Sequence, residues 1–536
     1  MANESYVCRR LIVLLDGTWN DADEAGPATN IVYLRELLFW GLQRRFDHRL
    51  KEDLDDYDKL DAEHRKKAAS GMIFDGFEYV VYYGRGVGTG GLIDRFKGGA
   101  LGFGLDKEIR RAYKFLSFWF RPGDEIYIFG FSRGAFTARS LSGYLHAVGL
   151  LRREFCSAEN EQRAWEFYRT PPQDRLAADW LSFRTPLAGD GTTLVHPANA
   201  ARVRALCVFD TVGALGVPGN LFRQLNRSKY EFHGTEVNAS VDIRLHAVAI
   251  DEPRPEFVAT MWTKPKFQHF NLDVSPIEQV WFPGAHGDIG GGYVAWDEVD
   301  QLGLSHLPLA WMLQRLNHHI VARPPLADAP PPVTPTIAPR RQAPIPFFGK
   351  DFYDDEAATM IKNRIIQQVT ADQHKPWEVV SLLRRNNLRV INQVPVANAG
   401  RLAAKGRIQH ADPIGEMIHV SAFDRLMKQI RIEKATRRYF PANLIAAIPF
   451  VAASYVKRGH PVDAEWERIV APIFSWQRIY LVDWNGTPLS PGDPAHVRRA
   501  FEILPKPAAI EIDAMPPEMK KFILPPAAAA LPPPSG

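Results

Sequence analysis

The chain has 536 residues, 46% hydrophobic and 24% charged, which is enough for one large core plus a smaller module and too apolar for general disorder. Its 65 basic and 61 acidic residues leave a net charge of +4, without the basic stripe that nucleic-acid binding uses. Three cysteines, Cys8, Cys156 and Cys207, with no CxxC spacing, exclude a disulfide framework and fit free thiols in a reducing compartment.

In chain order, "RLIVLLDGT" (10–18) reads as a strand, and Asn30 is a candidate cap for the helix "IVYLRELLFWGLQRRF". The charged stretch 47–70 reads as a solvated helical insertion. "FEYVVYYG" (77–84) is a strand, "LDKEIRRAYKFLSFWF" (105–120) has helical spacing, and "EIYIFGF" (125–131) is a strand again. Further strands are expected at "ALCVFDTV" (205–212), "IRLHAVAID" (243–251) and "QVWFPGAH" (279–286), and a helix at 304–320 behind Ser305. Apolar strands separated by helices predict an α/β fold, a mostly parallel sheet covered on both faces. The division expected is a catalytic domain over 1–322, a proline-rich linker over 323–346, an accessory module over 347–524 and a disordered tail over 525–536. In the accessory module Asn485-Gly486 signals a hairpin. "ANLIAAIPFVAASYV" (442–456) falls short of the ~20 residues of a membrane span and reads as a buried helix or, with its basic flanks, as an interfacial one. No signal peptide is read at the N-terminus, because "LIVLL" is only five apolar residues long.

The strand 125–131 runs into Gly130-Phe131-Ser132-Arg133-Gly134, a Gly-x-Ser-x-Gly motif with a helix pattern directly behind it. A strand-to-helix turn that tight strains the serine backbone and lifts its hydroxyl above the carboxyl edge of the sheet. The competing reading is a serine that caps the helix. As a nucleophile Ser132 needs a base, and His286 is the favoured histidine, because it follows a strand and lies in a glycine-rich loop. His246 falls inside a strand, and His318 and His319 on a helix. Two acids compete to orient the imidazole: Asp210 ends one strand and Asp251 the next, and strand counting mildly favours Asp251. Asp288 reads as a loop tie. The oxyanion hole is expected from the backbone amides of Arg133 and of the turn Asp16-Gly17-Thr18. Gly86-x-Gly88-x-x-Gly91 has dinucleotide-loop spacing, but no helix opens at it and no acidic strand end follows, so no cofactor is assigned; it reads as a rim of the cleft.

The blocks "LLDGTWND", "YYGRGVGT", "GFGLDKEIRRAYKFL", "PGDEIYIFGFSRGAFTARSLSG", "VFDTVGALG", "AIDEPRPEF", "FPGAHGDIGGGY" and "LSHLPLAWM" occur in this order. Together, over about residues 9–315, they resemble the α/β-hydrolase domain family that includes phospholipase effectors of the bacterial type VI secretion system. That resemblance implies a Ser-His-Asp triad of Ser132, His286 and Asp210, and so favours Asp210 over Asp251. It implies cleavage of phospholipid acyl esters without metal or organic cofactor, and synthesis in a bacterial cytoplasm followed by delivery into a target cell as a toxin. A secretion-spike protein and an immunity protein are the implied partners. Residues 347–536 match nothing in the resemblance; effector members often carry lipid-docking elements there. The alternatives are a housekeeping esterase for a soluble ester and an inactive binding protein that keeps the fold.

Overall fold

The protein is seen in a computed structural model that describes residues 8–17, 28–45, 72–74, 77–85, 100–171, 193–197, 200–212, 237–254, 257–263, 276–293, 303–322, 414–432, 435–456 and 479–505, with single positions between them. The stretch 47–70, the glycines 86–91, the linker 323–346 and the tail 525–536 lie outside the described residues. The chain divides into two compact units, Met1–His246 with Pro265–Ile277 and Met312–Ala358, and Ala247–Lys264 with Glu278–Trp311 and Thr359–Gly536.

The first unit contains β1 (Cys8–Leu15), β2 (Met72–Phe74), β3 (Phe77–Gly84), β4 (Glu125–Phe131), β5 (Val203–Phe209) and the first six residues of β6 (Val241–Ala249). Their order is β2-β3-β1-β4-β5-β6. β1 runs parallel to β3 and β4, and β4 to β5; β2 is antiparallel to β3. Every residue of β4, β5 and β6 is buried; β4 and β5 read as near-continuous apolar runs, while β6 alternates with the buried Asp242, Arg244 and His246. The helices here are α1 (Asn30–Arg45), α2 (Ala100–Trp119), α3 (Arg133–Val148) and α4 (Ala158–Arg169). The cap of α1 is Thr29 rather than Asn30: its hydroxyl accepts from the Val32 amide at 3.1 Å. α2, α3 and α4 meet in an aromatic seam, with Tyr113 stacked on Tyr144 at 4.1 Å and Trp165 edge-on to Tyr144 at 5.3 Å.

Charged residues open two of these strands and are buried. Successive residues of a strand face opposite sides of the sheet, so Arg9 and Arg10 need separate partners. Asp124 takes Arg9 through Nε at 3.0 Å and its terminal nitrogen at 2.8 Å, and also accepts the Arg9 and Arg121 amides. Glu125 takes Arg10 at 3.1 Å, with Tyr79 and Tyr127 alongside. Both pairs lie at the amino end of the strands, away from the end where β4 meets its serine.

The second unit holds the last three residues of β6, then β7 (Ile277–Phe282), β8 (Glu416–His419) and β11 (Tyr480–Val482), in the order β6-β7-β8-β11, with β7–β8 and β8–β11 parallel. β9 (Gln429–Ile432) and β10 (Ala435–Arg438) form an antiparallel hairpin. The helices are α5 (His286–Gly290), the start of α6 (His306–Ala322), α7 (Ser421–Arg425), α8 (Ala442–Tyr455) and α9 (Pro494–Ile503). α8 is a core helix: Leu444, Ile445, Ile448, Val451 and Tyr455 pack with Trp281, Ile418 and Leu481. It continues through Pro449, which interrupts the sequence pattern but not the helix. Asn485-Gly486 lies in the turn after β11, with Gly486 at φ 73° and an antiparallel bridge from Val482 to Pro488. Among the described residues no helix is long and apolar enough to cross a membrane.

Candidate active site

In the first unit, Ser132 sits between β4 and α3 with φ 57° and ψ −120°, a conformation that is costly for any residue with a Cβ. Its side chain makes no capping bond to α3, so the helix-cap reading of the serine does not hold. The Ser132 amide donates to Phe209 O at 3.1 Å, and Ser132 O accepts from the Phe136 amide at 3.2 Å. Close approach explains the flanking glycines. A Cβ on Gly130 would lie 2.5 Å from Gly134 O, and one on Gly134 would run into the carbonyl oxygens of Leu15 and Asp16. The strained turn is therefore wedged between β1 and β5.

Asp210 follows Phe209 directly, fully buried and also at positive φ, 40°. The next amide, Thr211 N, donates to His246 Nε2 at 3.1 Å, so His246 is unprotonated at Nε2 and anchors the loop that carries Asp210. Asp16 braces the turn after β1: Oδ2 accepts from Thr29 and Tyr83 hydroxyls at 2.9 and 3.0 Å, and Oδ1 accepts from the Gly17 amide at 2.7 Å. Gly17 N–H is thus committed to its neighbour. Burial pushes the Arg133 guanidinium down to about 10, which leaves it a cation at neutral pH.

In the second unit, His286 is 6% exposed and opens α5, four residues past the end of β7. Three consecutive amides of this turn each donate to a different carboxylate. Gly284 N donates to Asp251 Oδ2 at 2.7 Å, Ala285 N to Asp288 Oδ2 at 2.9 Å and His286 N to Glu252 Oε2 at 3.1 Å. Gly284 has φ 116°, and a Cβ there would meet Asp288 Cβ at 2.5 Å. Glu252 also pairs with Arg254 at 2.5 Å; the Arg254 guanidinium lies 3.7 Å from the centre of the Phe257 ring, and Phe257 stands edge-on to the His286 imidazole at 4.8 Å. Asp251 accepts in addition from the Tyr439 hydroxyl at 2.9 Å. Desolvation pushes its carboxyl up to about 6, against the pull of Gly284, Tyr439 and Arg425.

Ser132, Arg133, Asp210, Asp16 and Gly17 are therefore grouped in the first unit, and His286, Asp251 and Asp288 in the second; Thr18 lies outside the described residues. Asp288 ties the loop, as its position two residues past the histidine suggested. Sequence reasoning missed Glu252, Tyr439 and the anchoring role of His246. The first had a signal, a charged Glu-Pro-Arg run directly after an apolar strand. The other two act across distances in sequence that periodicity does not register.

A largely parallel sheet whose strand turns through a positive-φ serine into a helix, with glycines at the close approaches, defines an α/β-hydrolase-like protein. Within that class the chain belongs to the family of Tle1-like phospholipase effectors of the type VI secretion system, whose catalytic domain matches residues 9–315. It is 30% identical over 204 residues to the uncharacterized protein YEL023C of Saccharomyces cerevisiae, a match covering 35% of this chain and 28% of that protein. Among solved structures it is similar to the Tle1 effector bound to the VgrG spike, at 20% identity and a TM-score of 0.27, over 55% of this chain and 53% of that one. An uncharacterized protein from Pseudomonas aeruginosa matches at 14% identity and a TM-score of 0.31, over 97% and 62%. The chain thus spans less than two thirds of the length of each of these relatives.

Proposed function

We propose that the protein is a serine ester hydrolase that cleaves phospholipid acyl esters as an antibacterial type VI effector. The observation that carries this reading is the backbone of Ser132. A non-glycine residue held at φ 57° between a buried strand and a helix, making no cap bond, has the strained geometry expected of a nucleophile at a strand-to-helix turn. In this mechanism Ser132 Oγ attacks the acyl carbonyl carbon while the His286 imidazole takes the serine proton. The carbonyl oxygen becomes an oxyanion, received by the backbone amides of Arg133 and Thr18. Arg133 opens α3, and first-turn amides point out of the helix's N-terminal end. Gly17, the other sequence candidate, has its amide engaged by Asp16. The imidazolium then protonates the departing lysolipid alcohol, and water repeats the sequence to release the fatty acid. Asp210 holds the imidazole tautomer and balances its charge; Asp251 is occupied by Gly284 and Tyr439.

Family membership supports the lipid substrate and the delivery route, with a secretion-spike protein and a neutralising immunity protein as partners. The test is hydrolysis of phospholipid vesicles and of short-chain aryl esters by wild type and Ser132→Ala. Release of fatty acid from vesicles that vanishes in the variant supports the reading. Activity on aryl esters alone favours a soluble-ester esterase. Activity retained by Ser132→Ala, or absent from wild type on both substrates, refutes the mechanism.

A further inference from the structure

We infer that Tyr439, more than 150 residues beyond His286 in sequence, is a positioning residue for His286, acting through Asp251. The inference rests on the reading of His286 as the base. The imidazole emerges from a buried turn, with Phe257 edge-on to its ring. The backbone of that turn is held by three hydrogen bonds: the amides of residues 284, 285 and 286 each meet one carboxylate oxygen. Two of these carboxylates are placed locally. Asp288 belongs to the same short helix, and Glu252 is held by Arg254 two residues on.

Asp251 differs from the other two. It exchanges bonds with Gly284 in both directions, since its own amide donates to Gly284 O at 3.0 Å. The Tyr439 hydroxyl donates to the same Oδ2 that takes the Gly284 amide. Tyr439 is 2% exposed and directly follows the β9–β10 hairpin, to which its backbone is tied: its amide donates to Lys428 O and its carbonyl accepts from Met427 N, both at 2.9 Å. The fully buried Arg425 lies over its ring at 5.2 Å. The Asn443 side chain adds a second tie, donating to Ile250 O at 2.9 Å, one residue before Asp251. The C-terminal third thus fixes the carboxylate that fixes the histidine turn.

The test compares full-length wild type, Tyr439→Phe, Asp251→Ala, Asp251→Asn and His286→Ala. Two readouts are used: kcat and KM on a short-chain aryl ester well below the melting midpoint, and amide hydrogen exchange over residues 283–287. Tyr439→Phe keeps the ring and loses only the donor, so folding is preserved. The expected result is a fall in kcat of about 10-fold for Tyr439→Phe and about 100-fold for Asp251→Ala, with KM unchanged. Asp251→Asn, which keeps an accepting oxygen, recovers most of the Asp251→Ala loss. Exchange at 283–287 rises in Tyr439→Phe while that of the 131–135 elbow stays as in wild type. Wild-type kcat and wild-type exchange in Tyr439→Phe overturn the inference, as does a loss that tracks the melting midpoint alone. If His286→Ala keeps full activity, the proposed mechanism fails instead, and the exchange measurement alone decides whether Tyr439 orders the turn.

Discussion

The amide of Ser132 donates to the carbonyl oxygen of Phe209 at 3.1 Å, and the residue after Phe209 is Asp210. The two positive-φ residues of the first unit's site are therefore fastened to each other through one peptide bond at the carboxyl ends of β4 and β5. Neither turn can relax without moving the other. Replacing Ser132 by Ala keeps the backbone bond and removes the hydroxyl. The expected result is a loss of hydrolysis of at least about 10³-fold with the melting midpoint near that of wild type, read by fatty-acid release and calorimetry.

The two acids that compete in the sequence are separated by substitution with Asn. Asp210→Asn leaves the shape of the loop and presents the wrong group to the imidazole, so kcat falls by about 10⁴-fold. Asp251→Asn still offers an oxygen to Gly284 N and Tyr439 OH and costs less than about 10-fold. The reverse ranking would assign the triad acid to Asp251.

Gly134 tolerates no side chain. A methyl group there meets the backbone carbonyl oxygens of Leu15, at the end of β1, and of Asp16 in the turn after it. Gly134→Ala is expected to lower stability by about 2–3 kcal/mol in urea unfolding. The esterase activity of whatever fraction folds is lost as well, because β1 and the elbow are pushed apart.

Asp251 gives the stability curve a feature of its own. Its carboxyl has an ordinary value of 3.8 and is pushed up to about 6 by desolvation, with Asp288 adding to the rise and Gly284 N–H, Tyr439 and Arg425 opposing it. A folded-state value above the unfolded one means that the fold favours the protonated form. This group's favourable contribution is therefore complete below pH 3.8 and is lost as pH rises through about 6. Unfolding free energies of wild type minus Asp251→Asn, measured from pH 4 to 8, should fall across that window. Two units set an upper bound of about 3 kcal/mol, reduced because the residue is only partly buried. A difference that is flat in pH would refute the assignment.

At the other end of the strands, Asp124 is buried with Arg9. Asp124→Ala strands the Arg9 guanidinium and the Arg9 and Arg121 amides, at an expected cost of about 3–5 kcal/mol. Because the pair lies at the amino end of β1 and β4, kcat of the remaining folded protein is expected to stay at the wild-type value.

β1, β3, β4 and β5 were legible in the sequence because apolar residues dominate them, and β3 and β4 fall on the residues expected for them; the three-residue β2 was not read. β8 and β11 were not. They are four and three residues long, and β8 has the polar residues Glu416 and His419 at its two ends. Both polar residues are buried by partners remote in sequence: Glu416 accepts from Trp281 Nε1 at 2.7 Å, and His419 stacks on Phe282 at 4.8 Å, where burial pushes its imidazole down to about 3. An apolar-run criterion cannot find a strand whose polar residues are satisfied through space. The same limit applied at the site. Gly-x-Ser-x-Gly announced its own geometry because its constraint is local. The partners of the two acids did not: Asp251 accepts from Gly284 N and from Tyr439 OH, which lies 188 positions away in sequence.

β8 lies beside β7, and β11 beside β8, so the ladder that starts within the family's catalytic stretch is completed by residues 416–419 and 480–482. A protein shortened to end near residue 322 would present the outer rim of β7 as a bare row of donors and acceptors. Such a rim recruits other chains. β8 and β11 cover that rim in the full chain, and trimming the protein to its recognisable half is expected to give insoluble material rather than a minimal enzyme.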